Sequence, residues 1–219
     1  MNAALAAGAG VLALAWIALP RLGLPPFTGH MVMHMSVVAL AAPLIALGLA
    51  GGRWDPVRRW PALMSPVVAS MAEAVLVWGW HAPALHHAAR QAAWARAAEQ
   101  GSFLLAGLWL WCAALGGGAA TRRARAAGGV AGLLLTSMHM TLLGALITLS
   151  HRPLYGHGSD DIDTYCAADG SYVRYSLSGF TPLHDQQLGG AVMLVAGGLA
   201  YLLGGIGLAG DVMRRREAR

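Results

Sequence analysis

An all-α polytopic bundle of six transmembrane helices is the fold this chain predicts, and three observations predict it. The sequence is 57% hydrophobic and only 11% charged over 219 residues, whereas soluble domains carry about 25% charged residues. Its apolar residues fall in runs near the length a bilayer crossing needs, about 20 residues. Its 15 basic residues are all arginine, and most of them follow every second run.

The runs are Asn2–Leu19, His30–Ala50, Pro66–Trp80, Gly101–Leu115, Val130–Ser150 and Gln187–Gly210. The first lacks a basic leader, so it reads as a spanning helix rather than a cleaved signal. Pro20, Pro25 and Pro26 end it, Gly51-Gly52 ends the second, and Gly116–Gly118 ends the fourth. The third and fourth runs are short and extend into flanking residues. Trp78 and Trp80 close the third as an interfacial belt. There is no internal repeat and no low-complexity linker, so residues 1–219 form one integral membrane domain.

Arginine sets the orientation. Arg53, Arg58 and Arg59 follow the second run, Arg122, Arg123 and Arg125 the fourth, and Arg214, Arg215, Arg216 and Arg219 the sixth. Basic residues near span ends favour the cytoplasmic side, so both termini are predicted inside. Pro20–Gly29, His81–Gln100 and the long loop His151–Gln186 then face out. The expected location is a bacterial inner membrane. The net charge of +5 belongs to those arginines, with no aromatic-interleaved basic patch that would suit nucleic acid.

On this topology no histidine falls in a cytoplasmic loop. His30 and His34 open the second span from outside, and His81, His86 and His87 follow the third. His151, His157 and His184 belong to the long loop or its edges, and His139 lies within the fifth span. The richest segment reads His30-Met31-Val32-Met33-His34-Met35, and a smaller one reads Met138-His139-Met140. Imidazole interleaved with thioether suits copper, above all Cu(I), so one or two copper ions toward the periplasm are expected.

His30 and His34 are four apart, on one helix face and about 6 Å apart along the axis. Met33 falls beside His30, while Met31 and Met35 flank His34, so one or two thioethers at most are ligands. His81 ends at the same height as this pair. His86 and His87 read as solvent-facing or as support behind the ligands. His139 is about 14 Å up from Val130 and His34 about 28 Å up from Arg53. The two meet only if the fifth helix starts earlier or tilts; otherwise His139 belongs to a lower site. Its candidate partner there is Glu73, an intramembrane carboxylate, whose bland alternative is a bond to backbone or Thr141.

Asp185 is a helix cap, a ligand, or the acceptor that orients a ligand imidazole. The predicted metal set is His30, His34, His81, His139 and Asp185. Glu73, His151, His184 and the methionines are alternatives. Cys112 and Cys166 fall at opposite faces, so no disulfide is expected. No nucleophile elbow, phosphate loop or CxxCH haem motif is present. The long loop, with Asp160, Asp161, Asp163, Asp169, Tyr172 and Tyr175, reads as a solvated loop, a lid or a docking surface.

These residues resemble the multi-spanning CtaG type of cytochrome c oxidase assembly factor. The resemblance runs from about Phe27 to Leu203. It is carried by His30-Met31-x-x-His34-Met35, Trp80-His81-x-Pro83 with Leu85, Glu99 and Phe103, Pro153-Leu154-Tyr155, and Asp185-Gln186-Gln187-x-x-Gly190-x-x-Met193. Two departures stand out. Glu99-Gln100 replaces a frequent Glu-His, and Arg96 stands where the family often has an earlier histidine. The resemblance implies a part in maturing a haem-copper oxidase by handling copper at the outer face, with oxidase subunits or a periplasmic copper carrier as partners. The alternative of a different class is an enzyme, a membrane oxidase whose di-copper centre oxidises Cu(I) or a small reductant with O2. A copper permease and an inert scaffold rank lower.

Overall fold

A computed structural model describes residues 2–117, 119–155, 164–166, 172–174 and 181–217. Eight helical stretches make up nearly all of it. α1 covers Ala3–Arg21 and α2 Pro26–Leu49, each relaxed by a π turn, at Leu14–Ala18 and Ser36–Ala41. α3 (Pro56–Arg59), α4 (Pro66–Trp80), α5 (Pro83–Gln91), α6 (Ala93–Leu115) and α7 (Ala119–Leu149) follow. In α8, Pro182–Val192 continues through a π turn at Met193–Gly197 into Gly198–Glu217. The start signals are local. Asn2, Asp55, Ser65 and Thr181 each accept an amide of the first turn they precede.

Four stretches are long and apolar enough to cross a membrane: Ala3–Arg21, Pro26–Leu49, Arg125–Leu149 and Pro182–Arg214. Pro66–Trp80 is a shorter apolar helix. Ala93–Leu115 has 23 residues and carries Arg96 and Glu99 in its first two turns. Leu14, Ile17, Leu47, Val75, Leu105 and Leu203 are exposed on the outside of the bundle, as lipid-facing side chains would be. Two three-residue strands that the sequence did not announce, β1 (Thr164–Cys166) and β2 (Tyr172–Arg174), pair antiparallel. Cys112 is a buried free thiol.

Three helix starts differ from the sequence expectation, and each moves a functional residue. α2 begins at Pro26, where proline's missing amide costs nothing, so His30 and His34 sit in its second and third turns. α7 begins at Ala119, well before Val130, which removes the height conflict between His139 and His34. α8 begins at Pro182, which brings His184 and Asp185 into its first turn.

Small residues let the helices approach closely. A Cβ on Gly8 would meet Ile45 at 2.6 Å and one on Gly48 would meet Leu5 at 2.5 Å, so α1 lies directly on α2. Gly144 faces the Leu194 backbone and Gly190 faces Thr148, which seats α8 on α7. Polar groups in this interior find partners inside it. Tyr201 donates to Glu73 Oε1 at 2.6 Å, and Ser70 and Thr136 share a 2.7 Å bond. Trp111 Nε1 donates to the Val38 carbonyl at 3.0 Å, within the π turn of α2. At the α2–α3 turn, Asp55 accepts the amides of Gly51, Val57 and Gly117, tying the end of α2 to the end of α6.

Candidate metal centre

Four imidazoles converge where α2, α4, α5 and α6 meet. α2 supplies His30 and His34, one turn apart with ring centroids 6.3 Å apart and planes within 9°. His81, the residue that ends α4, lies 5.7 Å from His30 and 5.5 Å from His34. His86 on α5 meets His30 edge-on at 5.2 Å. Phe103 on α6 packs on His34 at 3.9 Å and forms an apolar floor. Glu99, one turn earlier on α6, brings Oε2 to 3.7 Å from His30 Nδ1. All five polar residues are buried, Glu99 and His34 completely.

Hydrogen bonding fixes two of the ring tautomers. A carbonyl can only accept, so the 2.6 Å contact of His81 Nδ1 with the Val77 carbonyl makes Nδ1 the donor. The His81 Nε2 lone pair is then left in the cluster, buried without a partner. Arginine can only donate, so Arg90 Nη2, 3.2 Å from His30 Nδ1, finds the lone pair there. His34 Nδ1 and Nε2, His86 Nδ1 and Glu99 Oε1 are also buried without a hydrogen bond. Unpaired buried polar atoms cost free energy, and this many in one place fit a cation better than a packed core. Burial first, and the Arg90 charge second, hold His86 well below the usual imidazole range, so it is a neutral ring with a lone pair to offer.

The donor set fits a small metal ion. One ligand atom each from His30, His86 and Glu99 lie within 4.8 Å of one another. Imidazole–metal bonds of about 2.0–2.1 Å require only a modest contraction. The chemistry is imidazole with carboxylate. Two of the thioethers point elsewhere: Met31 lies against Gly189 and Met35 Sδ against Gly197, both on α8. α2 therefore divides its motif, with histidines on one face and Met31 and Met35 on another.

Of the five residues predicted as ligands, His30, His34 and His81 come together. Asp185 does different work. Its Oδ2 accepts the Phe27 amide and its Oδ1 the Thr28 amide, both at 2.8 Å, and Thr28 Oγ1 donates to Oδ1 at 2.6 Å. Asp185 thus caps α2 rather than its own helix. Pro25, which precedes α2, offers no side-chain cap. The ring contacts that join the cluster run among His30, His34, His81 and His86, while His139 on α7 has both ring nitrogens buried and unpartnered. Its level is right, because Met140 meets Gly197 beside Met35. Its direction is not, because the fully buried inward position belongs to Met140. Glu73 bonds Tyr201 rather than backbone or Thr141. His151 and His184 are exposed and His87 is half-buried. His157 and the loop residues Asp160, Asp161, Asp163, Asp169 and Tyr175 lie outside the described residues.

Sequence reasoning missed His86, Arg90 and Glu99 as members of the cluster. A signal was present. His86 and Arg90 are four apart on one face of a short helix, and Glu99 lies nine residues beyond Arg90, so the segment folds as a helical hairpin that returns both charges to α2. Over the cluster, Tyr155 stacks on Phe27 at 4.5 Å and lies 4.6 Å from His86, and its hydroxyl donates to the His81 carbonyl at 2.8 Å. Gln186 holds that covering turn, accepting the Leu154 amide at 2.6 Å and donating to the Ile147 and Arg152 carbonyls at 3.3 Å. The Pro153-Leu154-Tyr155 and Asp185-Gln186-Gln187 motifs are thus two halves of one lid and one cap.

No curated protein and no solved structure matches the chain. The model of the cytochrome c oxidase caa3 assembly factor family (Caa3_CtaG) matches residues 2–215. With nearly its whole length matched, the chain belongs to the caa3-type cytochrome c oxidase assembly factor family.

Proposed function

We propose that this protein holds a copper ion at the outer face of the bacterial inner membrane and passes it on during assembly of a haem-copper oxidase. α1, α2, α4, α6, α7 and α8 are the six spans, and both termini are cytoplasmic. His30, His34, His81, His86 and Glu99 hold the ion, Asp185 fixes α2 beneath it, and Tyr155 covers it. The partners are oxidase subunits or a periplasmic copper carrier.

The observation that carries this reading is the convergence of four buried imidazoles, of which His34, His81 and His86 each keep a ring nitrogen buried without a protein partner while His30 Nδ1 is met by Arg90. Copper is cargo here, so the site must be both selective and reversible. Orientation rests on the arginines that follow the second, fourth and sixth runs. Among the described residues one group of metal-ligating side chains comes together. That favours holding one ion over a di-copper oxidase.

The test is an anaerobic Cu(I) titration of the detergent-purified chain against a chromogenic Cu(I) chelator. The wild type is expected to retain about one Cu(I) per chain and His34→Ala none. A wild type that surrenders all Cu(I) to the weakest chelator of the series refutes the reading.

A further inference from the structure

Arg90 occupies the place where a bound cation would sit. Its Nη2 donates to Glu99 Oε2 at 2.8 Å and to His30 Nδ1 at 3.2 Å. Those two acceptors are 3.7 Å apart, so one guanidinium nitrogen bridges two of the ligands that a metal would bridge. A metal about 2.0–2.1 Å from each and a nitrogen at hydrogen-bond distance from both cannot share that space. We infer that Arg90 is a resident counter-ion which leaves the site when the metal arrives and returns when it departs, making binding an exchange of one cation for another. This inference rests on the copper reading above and adds the means by which the site lets its cargo go.

Two features equip Arg90 to move. The hydrogen bonds that hold it run through Nη2, and its Nε is buried without a partner, so it lacks the two-pronged clamp that makes arginine–carboxylate pairs firm. Its side chain is also 19% exposed while Glu99 is fully buried. It lines a small cleft with Phe27, His86, Tyr155 and Gln186, so part of the side chain already meets the surface. Glu99 is fully buried, so its charge is costly to leave without a cation beside it.

Charge arithmetic makes the exchange selective. With Arg90 inside, the guanidinium and Glu99 sum to zero around neutral imidazoles. A monovalent ion in its place also sums to zero, whereas a divalent ion leaves one positive charge uncompensated in a buried site. The arrangement therefore favours Cu(I) over Zn2+ and Cu2+, although imidazole and carboxylate suit all three. Displacement also weakens binding by the fraction of chains in which Arg90 is already out, which keeps the ion available for transfer.

Two measurements test this on the full-length protein in detergent. The first compares Cu(I) affinity in wild type and Arg90→Met by chelator competition. With the guanidinium out in about a tenth of chains, its removal tightens Cu(I) binding about tenfold and Zn2+ binding by a similar factor, because the same competitor is lost. The second needs no variant. Phenylglyoxal labelling of Arg90, read by peptide mass spectrometry, is expected to be slow in the metal-free protein and faster after Cu(I) loading. Equal labelling in both states, or unchanged or weaker Cu(I) binding by a folded Arg90→Met, overturns the exchange while leaving copper binding intact. Absence of Cu(I) binding in the wild type would instead remove the copper reading, and the exchange with it.

Discussion

Asp185 on α8 accepts both the Phe27 and the Thr28 amides of α2, each at 2.8 Å. A carboxylate at a helix N-terminus satisfies orphan donors and complements the helix dipole, and here it also ties the sixth predicted span to the second. Asp185→Ala removes charge-assisted bonds in a buried place and is expected to cost about 3 kcal/mol. For a chain of this size that lowers the unfolding midpoint in detergent by about 6–12 °C. Asp185→Asn keeps one acceptor and should lose roughly half as much. A midpoint unmoved by the alanine variant would mean that the tie carries no stability.

His34 and His139 test direction against depth. Both lie within long apolar helices, but only His34 joins the imidazole cluster. His34→Ala should weaken Cu(I) binding about 100-fold or more, beyond the effect of losing a supporting residue. His139→Ala should leave the affinity within about threefold, a shift under 1 kcal/mol. Equal losses in the two variants would show that His139 reaches the ion.

Tyr155 covers the cluster through its ring and its hydroxyl, and the two can be separated. Tyr155→Phe keeps the stack on Phe27 and gives up the bond to the His81 carbonyl. Tyr155→Ala gives up both. An aromatic pair contributes about 0.5–1.5 kcal/mol, so the alanine variant should release Cu(I) up to about tenfold faster in stopped-flow transfer to a chelator. The phenylalanine variant should stay close to wild type. Identical release from all three proteins would rule out a covering role.

Gly189 and Gly207 make a matched pair on α8. A Cβ at Gly189 would meet the Phe27 ring at 2.5 Å, whereas one at Gly207 meets nothing within 4 Å. Gly189→Ala must push α2 and α8 apart and should cost about 1–3 kcal/mol. Gly207→Ala should be neutral or stabilise by up to about 1 kcal/mol through helix propensity. Thermal unfolding of the two variants side by side checks both, and a destabilised Gly207→Ala would contradict the open space at that position.

The apolar runs, the proline and glycine breaks and the i, i+4 histidine pair were all legible in the sequence, because each is a local signal. Helix periodicity fixes which residues of one helix share a face. It says nothing about which neighbour that face meets. His139 shows the limit. Its depth was misjudged because α7 begins at Ala119 rather than Val130, and its direction depended on how α7 packs on α8 through Gly144. Asp185 shows another. Its place in the first turn of a helix suggested a cap, yet the amides it caps belong to a helix far back in the chain. His86 was read as solvent-facing or as support and Arg90 was not read at all, because the buried face of their short, polar helix appears only when α5 folds back on α6.

The bond from Asp185 to α2 joins groups 157 and 158 residues apart, and that separation sets an order on biogenesis. During synthesis α2 is threaded early, with the amides of Phe27 and Thr28 lacking their acceptor. They gain it only when the last long helix is inserted beside them. The Leu154 amide, next to Tyr155, likewise gains its Gln186 acceptor only then. A nascent chain that stalls before α8 therefore carries all four clustered imidazoles on an α2 whose first turn is uncapped and beneath a covering turn that Gln186 does not yet hold.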